Sequence, residues 1–150
     1  MPKLKRPFIP LSWEHHHGLS LVWRIRRGIE KQTPPDVLLS YVLPFWDQNV
    51  ALHFGLEETV LLPLVPQDEP MVRRLLDDHR ILRAQIESLK NGEKKELVPV
   101  NLKSIADLLE QHIRFEEREL FPWIAGTLST EMRETLEKIL REKFHRLEEP

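Results

Sequence analysis

His53-Phe54-Gly55-Leu56-Glu57-Glu58-Thr59-Val60-Leu61-Leu62-Pro63 and His112-Ile113-Arg114-Phe115-Glu116-Glu117-Arg118-Glu119-Leu120-Phe121-Pro122 follow one pattern, H-x-x-x-E-E-x-x-L-[LF]-P. A His and a Glu four residues apart lie on one face of a helix, one turn from each other. That spacing lets an imidazole and a carboxylate grip one metal ion, or two adjacent ions that share the carboxylate. Two copies, each in an apolar helical frame, point to facing helices that present matched ligands to a common centre. Upstream of each copy stands a second shared element, L-x-x-[DE]-H, as Leu11-Ser12-Trp13-Glu14-His15 and Leu75-Leu76-Asp77-Asp78-His79. The chain therefore reads as two helix pairs, each contributing one lone His and one His/Glu pair.

The length of 150 residues suits a single domain, 1–150, able to bury roughly two thirds of its unfolded surface. A net charge of -2 with both signs interspersed gives no electrostatic basis for binding nucleic acid. Cysteine is absent, which excludes disulfides, thiolate metal sites and cysteine nucleophiles. A metal here must be held by nitrogen and oxygen, which favours iron, manganese or zinc. The basic start Met1-Pro2-Lys3-Leu4-Lys5-Arg6-Pro7 is followed by no apolar run of signal-peptide length, and no stretch approaches a membrane span. A cytoplasmic protein is expected.

The apolar spacing is helical throughout, and no segment alternates as a strand does. The first helix is predicted from Ser12, a good N-cap, to about Lys31, with Leu19, Val22, Ile25 and Ile29 as its stripe. A second runs from Pro35 to Leu62, with Pro44 expected to kink or break it. A third spans Asp68 to Lys90, closed by Asn91-Gly92, and a fourth spans Leu102 to Ala125. These imply an all-α, up-down-up-down four-helix bundle over residues 12–126. A C-terminal helix over residues 129–147 carries Met132, Leu136, Ile139, Leu140, Phe144 and Leu147 on one side, with Glu134/Lys138 and Glu137/Arg141 pairs outside. It reads either as an accessory helix on the bundle or as a homodimer surface.

Helical phase sorts the candidate ligands. In the triplet His15-His16-His17, His15 falls on the apolar stripe, His16 toward its edge and His17 on the polar side. His15 is chosen, with His16 as the alternative; His17 and His145 are expected to face solvent. His79 shares a face with Leu75, Leu82 and Ile86. Glu57 and Glu116, at i+4 from His53 and His112, are expected as ligands; Glu58 and Glu117, one residue further, as outer acceptors or solvated caps. Six such groups in one core would be costly unless mutually satisfied or coordinated. They exceed the four ligands of a tetrahedral zinc ion and suit two octahedral ions sharing carboxylates. The tryptophans Trp13, Trp23, Trp46 and Trp123 are expected as core fillers or a hydrophobic collar.

From Leu11 to Pro122 the chain resembles the hemerythrin-like, or HHE cation-binding, domain family. The resemblance rests on Glu14-His15-His16, His53-x-x-x-Glu57, Asp78-His79 and His112-x-x-x-Glu116, in that order. It implies a four-helix bundle with a non-haem, oxo- or hydroxo-bridged centre of two irons. In that picture Glu57 and Glu116 bridge the ions and His15, His53, His79 and His112 cap them. Oxygen-carrying hemerythrins draw two histidines one turn apart from the third helix, whereas His79 has Leu75 and Arg83 at those positions. The fourth-helix carboxylate also stands at i+4, where the carriers use a longer spacing. The function implied is binding of iron and of a small diatomic ligand such as oxygen or nitric oxide, for sensing, storage or stress protection. The alternatives are an enzyme acting on peroxide or nitric oxide, or an iron donor for iron–sulfur cluster repair.

Overall fold

Helix is the only regular structure among the described residues, which in the computed structural model of the chain are 9–148 for the backbone and 15–143 for the side chains. The expectations for the side chains of Ser12, Trp13, Phe144, His145 and Leu147 lie outside the described residues. α1 spans Ile9–Glu30 and so begins ahead of Ser12. α2 (Pro35–Phe45) leads through a π-helical turn, Trp46–Val50, into α3 (Ala51–Leu56) and a second π turn, Glu57–Leu61. The run ends in a 3-10 turn, Leu62–Leu64. Pro44 sits inside α2 without ending it. The hydrogen bond lost at its nitrogen is followed at once by the wide turn at Trp46–Val50, where the irregularity is absorbed.

α4 spans Pro70–Lys90, two residues later than Asp68 suggested, with proline in its first turn and no side-chain cap. α5 (Val98–Phe115) starts four residues before Leu102, again with a proline in the first turn. A third π turn, Glu116–Leu120, joins it to α6 (Phe121–Thr127), and α7 covers Thr130–Glu148. α1 packs mainly on α5; α4 also packs on α5, and α2 on α1. The α1–α2 approach depends on Gly28, where a Cβ would run into Leu38 Cδ2 and come within 2.6 Å of the Tyr41 hydroxyl.

The core divides into two apolar clusters. One gathers Leu21, Ile25, Leu38, Val42, Trp46, Phe54, Leu82, Ile86, Leu102 and Leu109; the other gathers Leu61, Val72, Leu75, Phe115, Phe121 and Ile124. α7 adds Leu136 and Leu140 to the second, while Met132 and Ile139 stay partly exposed at 40% and 36%. The accessory packing of that helix is thus present. Leu19, expected on the buried stripe, is exposed, and Leu21 takes the inward position. Trp46 is buried, Trp23 exposed and Trp123 half-buried, so one of these three is a core filler.

The seam between the clusters is where polar residues enter. His79 lies between Leu75 of one cluster and Leu82 of the other, and His112 between Leu109 and Phe115. Glu57 likewise falls between Phe54 and Leu61.

Candidate metal centre

The six side chains singled out by phase meet at that seam. His15, His53, Glu57 and Glu116 bring ligand atoms within 4.8 Å of one another, and Glu57 forms a second such group with His79 and His112. The Glu57 carboxylate spans both groups, Oε2 lying 3.4 Å from His53 Nε2 and Oε1 3.2 Å from His79 Nε2. Glu116 uses one oxygen, Oε1, which is 3.1 Å from His15 Nε2 and 3.4 Å from His112 Nε2. Each carboxylate therefore stands between one member of the His15/His53 pair and one member of the His79/His112 pair. None of the six is more than 6% exposed.

The doubled glutamates have separate tasks. Glu57 faces His79 Nε2, while Glu58 Oε2 accepts from Nδ1 of the same ring at 2.6 Å. Glu116 faces His15 Nε2, and Glu117 Oε1 accepts from His15 Nδ1 at 2.9 Å. Each E-E dipeptide thus grips both nitrogens of one imidazole from another helix. A π turn begins at the first glutamate of each pair. Its wider coil rotates successive residues less than an α-helix does, which keeps the two carboxylates closer to one face. His112 Nδ1 is held in turn by Asp78 Oδ2 at 2.9 Å.

These outer contacts fix the tautomers. An ionised carboxylate can only accept, so the Nδ1–H of His15, His79 and His112 is committed outward and each Nε2 turns a lone pair to the centre. There the lone pairs meet carboxylate oxygens. Acceptor faces acceptor at 3.1–3.4 Å. Both Glu57 oxygens and Glu116 Oε2 are buried with no hydrogen-bond donor. His79 Nε2 and His112 Nε2 also face each other at 3.2 Å. Burial opposes the charge on Glu57, but His53 and His79 outweigh it and hold the carboxyl below the ordinary carboxylate range. Burial pushes the His112 imidazole below its ordinary value, against the opposing pull of Asp78. Carboxylate oxygens and imidazole nitrogens converging on one buried seam form a donor set that fits cations of the nitrogen- and oxygen-preferring kind.

Aromatic rings wall the site. Phe54 stacks on His79 with centroids 3.7 Å apart and meets His112 edge-on at 5.5 Å; Phe121 stacks on His15 at 5.7 Å. Arg83 Nη1 donates to Glu58 Oε2 at 2.7 Å, and the Arg74 guanidinium lies over Phe115 at 4.1 Å with its Nε 3.8 Å from Asp78 Oδ2. Sequence spacing carries a signal for both arginines as outer supports, since Arg74 precedes Asp78 by one helical turn and Arg83 follows His79 by one.

Within the triplet, His15 is the member that enters the cluster, and His16 is exposed and outside it. His17 departs from expectation. It is half-buried, its ring 6.3 Å from that of Phe45, because the α1 surface around Gly18 faces the π turn at Trp46–Val50 and not water.

The family model described as hemerythrin HHE cation binding domain matches residues 12–124. No curated protein and no solved structure matches the chain. No described helix is long and apolar enough to cross a membrane.

Proposed function

Because the chain belongs to the hemerythrin HHE cation-binding family, we propose that it is a cytoplasmic di-iron protein that binds a small diatomic ligand, oxygen or nitric oxide, for sensing, storage or stress protection. The four helical runs alternate up and down in this reading. His15 and His53 would hold one ion, His79 and His112 the other, with Glu57 and Glu116 shared between them. All six donors come from one chain, so a second copy is not needed to complete the centre. The observation that carries the reading is that both Glu57 oxygens and Glu116 Oε2 are buried among imidazole nitrogens without a hydrogen-bond partner.

Iron held there supplies a redox-active Lewis acid able to bind diatomic ligands. The protein's own part is to orient and to exclude water. Glu58, Glu117 and Asp78 hold the rings of His79, His15 and His112 in the donor tautomer. Phe54 and Phe121 shield them from solvent. A cavity of about 10 Å³ touches His15, His53 and Glu116, about the least room that one water requires.

The test is metal analysis and an absorption spectrum of protein isolated without added metal, followed by anaerobic reduction and addition of oxygen or nitric oxide. Two irons per chain and a reversible spectral change are expected. Absence of bound metal would refute the metal reading, and steady consumption of oxygen, peroxide or nitric oxide would replace binding with catalysis.

A further inference from the structure

The two halves of the centre are walled differently. On the His79/His112 side, Phe54 covers the His79 ring at 3.7 Å, with an interplanar angle of 10°. The outer carboxylates there are themselves pinned: Glu58 by Arg83 at 2.7 Å, and Asp78 beside Arg74, whose guanidinium caps Phe115. Both histidines are 0% exposed. On the other side lies the small cavity, lined by His15, His53, Glu116 and the buried Gly18, with the half-buried His17 and Asn49 also on its wall. Neither His79 nor His112 lines it. His17 and Asn49 are half-buried, so the cavity approaches solvent from the His15/His53 half. Asn49 is steadied by donation of its Nδ2 to the Phe45 carbonyl at 3.1 Å.

We propose that the two metal positions exchange independently: a divalent cation at His15/His53 enters and leaves past Gly18 and Asn49, while the one at His79/His112 is retained. The inference rests on the two-ion reading above. A metal position is released by rotating its ligand rings and admitting water. The close 3.7 Å stack and the arginine-pinned carboxylate resist this at His79, whereas the Phe121 stack on His15 is wider, at 5.7 Å, and the cavity admits water beside it. Gly18 and Ile113 both line the cavity and lie close together. A Cβ on Gly18 would come within 2.7 Å of Ile113 Cδ1, so even one methyl group closes the passage unless Ile113 moves.

The test uses the full chain loaded anaerobically with iron(II), its stoichiometry measured first, then mixed with excess chromogenic chelator. Two equal phases are expected, one ion each. Gly18→Ala is expected to slow the fast phase about tenfold and leave the slow phase unchanged, and Ile113→Val, which trims the facing methyl, to accelerate the fast phase. Arg83→Gln is expected to accelerate the slow phase alone, by about ten- to a hundredfold, the usual scale for loss of outer support to a metal ligand. Two bound ions leaving in a single phase would overturn the inference while sparing the two-ion reading. A fast phase indifferent to both Gly18→Ala and Ile113→Val would also overturn it. Loading of fewer than two ions would instead defeat the two-ion reading, and independent exchange with it.

Discussion

A buried carboxylate without a hydrogen-bond donor is tolerable only where a positive charge comes to it. Glu57 is such a group, 0% exposed and with neither oxygen receiving a hydrogen bond. Replacing it with glutamine keeps the shape and removes the charge. Glu57→Gln is expected to bind no more than one ion. Two-ion occupancy in that variant, measured by metal analysis, would contradict a shared role for Glu57. Glu58→Gln acts one step further out. It leaves the His79 Nδ1–H with a weaker acceptor and should lower metal affinity about ten- to a hundredfold. Metal titration checks this, and affinity equal to the parent would show that Glu58 does not support His79.

The pH dependence of the metal-free protein follows from the same residues. His112 is held below its ordinary value of 6.5, so the unfolded chain takes up this proton first on acidification. Its contribution to stability is present above 6.5 and declines below it. Glu57, also lowered, adds a loss of stability that begins only as pH falls below 4.5. Urea midpoints of the metal-free protein should therefore fall between roughly pH 8 and roughly pH 5. A midpoint constant over that range would show that burial does not keep His112 neutral. At this scale the phase of single residues was legible, since His15, His53, His79 and His112 all turned inward. Leu19 and His17 were not. Their burial depends on how closely α1 approaches its neighbours, which the periodicity of α1 alone cannot specify.

Among the helices, close approach matters more than propensity. Glycine to alanine within a helix ordinarily stabilises by about 0.5–1 kcal/mol. At Gly28 the new methyl would strike Leu38 and the Tyr41 hydroxyl across the α1–α2 contact. Gly28→Ala is therefore expected to destabilise, by about 1–3 kcal/mol, as read by denaturant unfolding. Unchanged or raised stability would mean that α2 yields easily. Helix starts were legible only to within a few residues. Pro70 and Pro99 each stand in a first turn and mark the starts better than Asp68 or Leu102. The two π turns that begin at Glu57 and Glu116 left no local trace beyond the doubled glutamates. They answer a tertiary demand, that two consecutive carboxylates reach one imidazole on a different helix, and helical periodicity carries no such information.

Across the whole molecule, the polar seam separates two apolar clusters that cannot join while it lies between them. Cations that tie four helical runs together at this seam should add considerable stability, because the unfolded chain cannot assemble the six donors. With free metal at a thousandfold excess over the dissociation constant, about 4 kcal/mol is expected, or roughly 10 °C in melting temperature for a chain of this size. Calorimetry of loaded and chelator-stripped protein checks it; coincident transitions would show that the seam is stable without cations. The fold class was legible because helical spacing and the scarcity of glycine agree along the chain. The division of the core was not, since each cluster draws on residues far apart in sequence.

The doubled glutamates also cross over. Glu57 and Glu58, from the run before residue 65, clasp His79 from the run after it, and Glu116 and Glu117 return the clasp on His15. Neither hairpin can furnish its own handshake. A cut in the link between Leu64 and Pro70 would leave two fragments, each holding the other's missing hand, and cations would be the glue that reunites them.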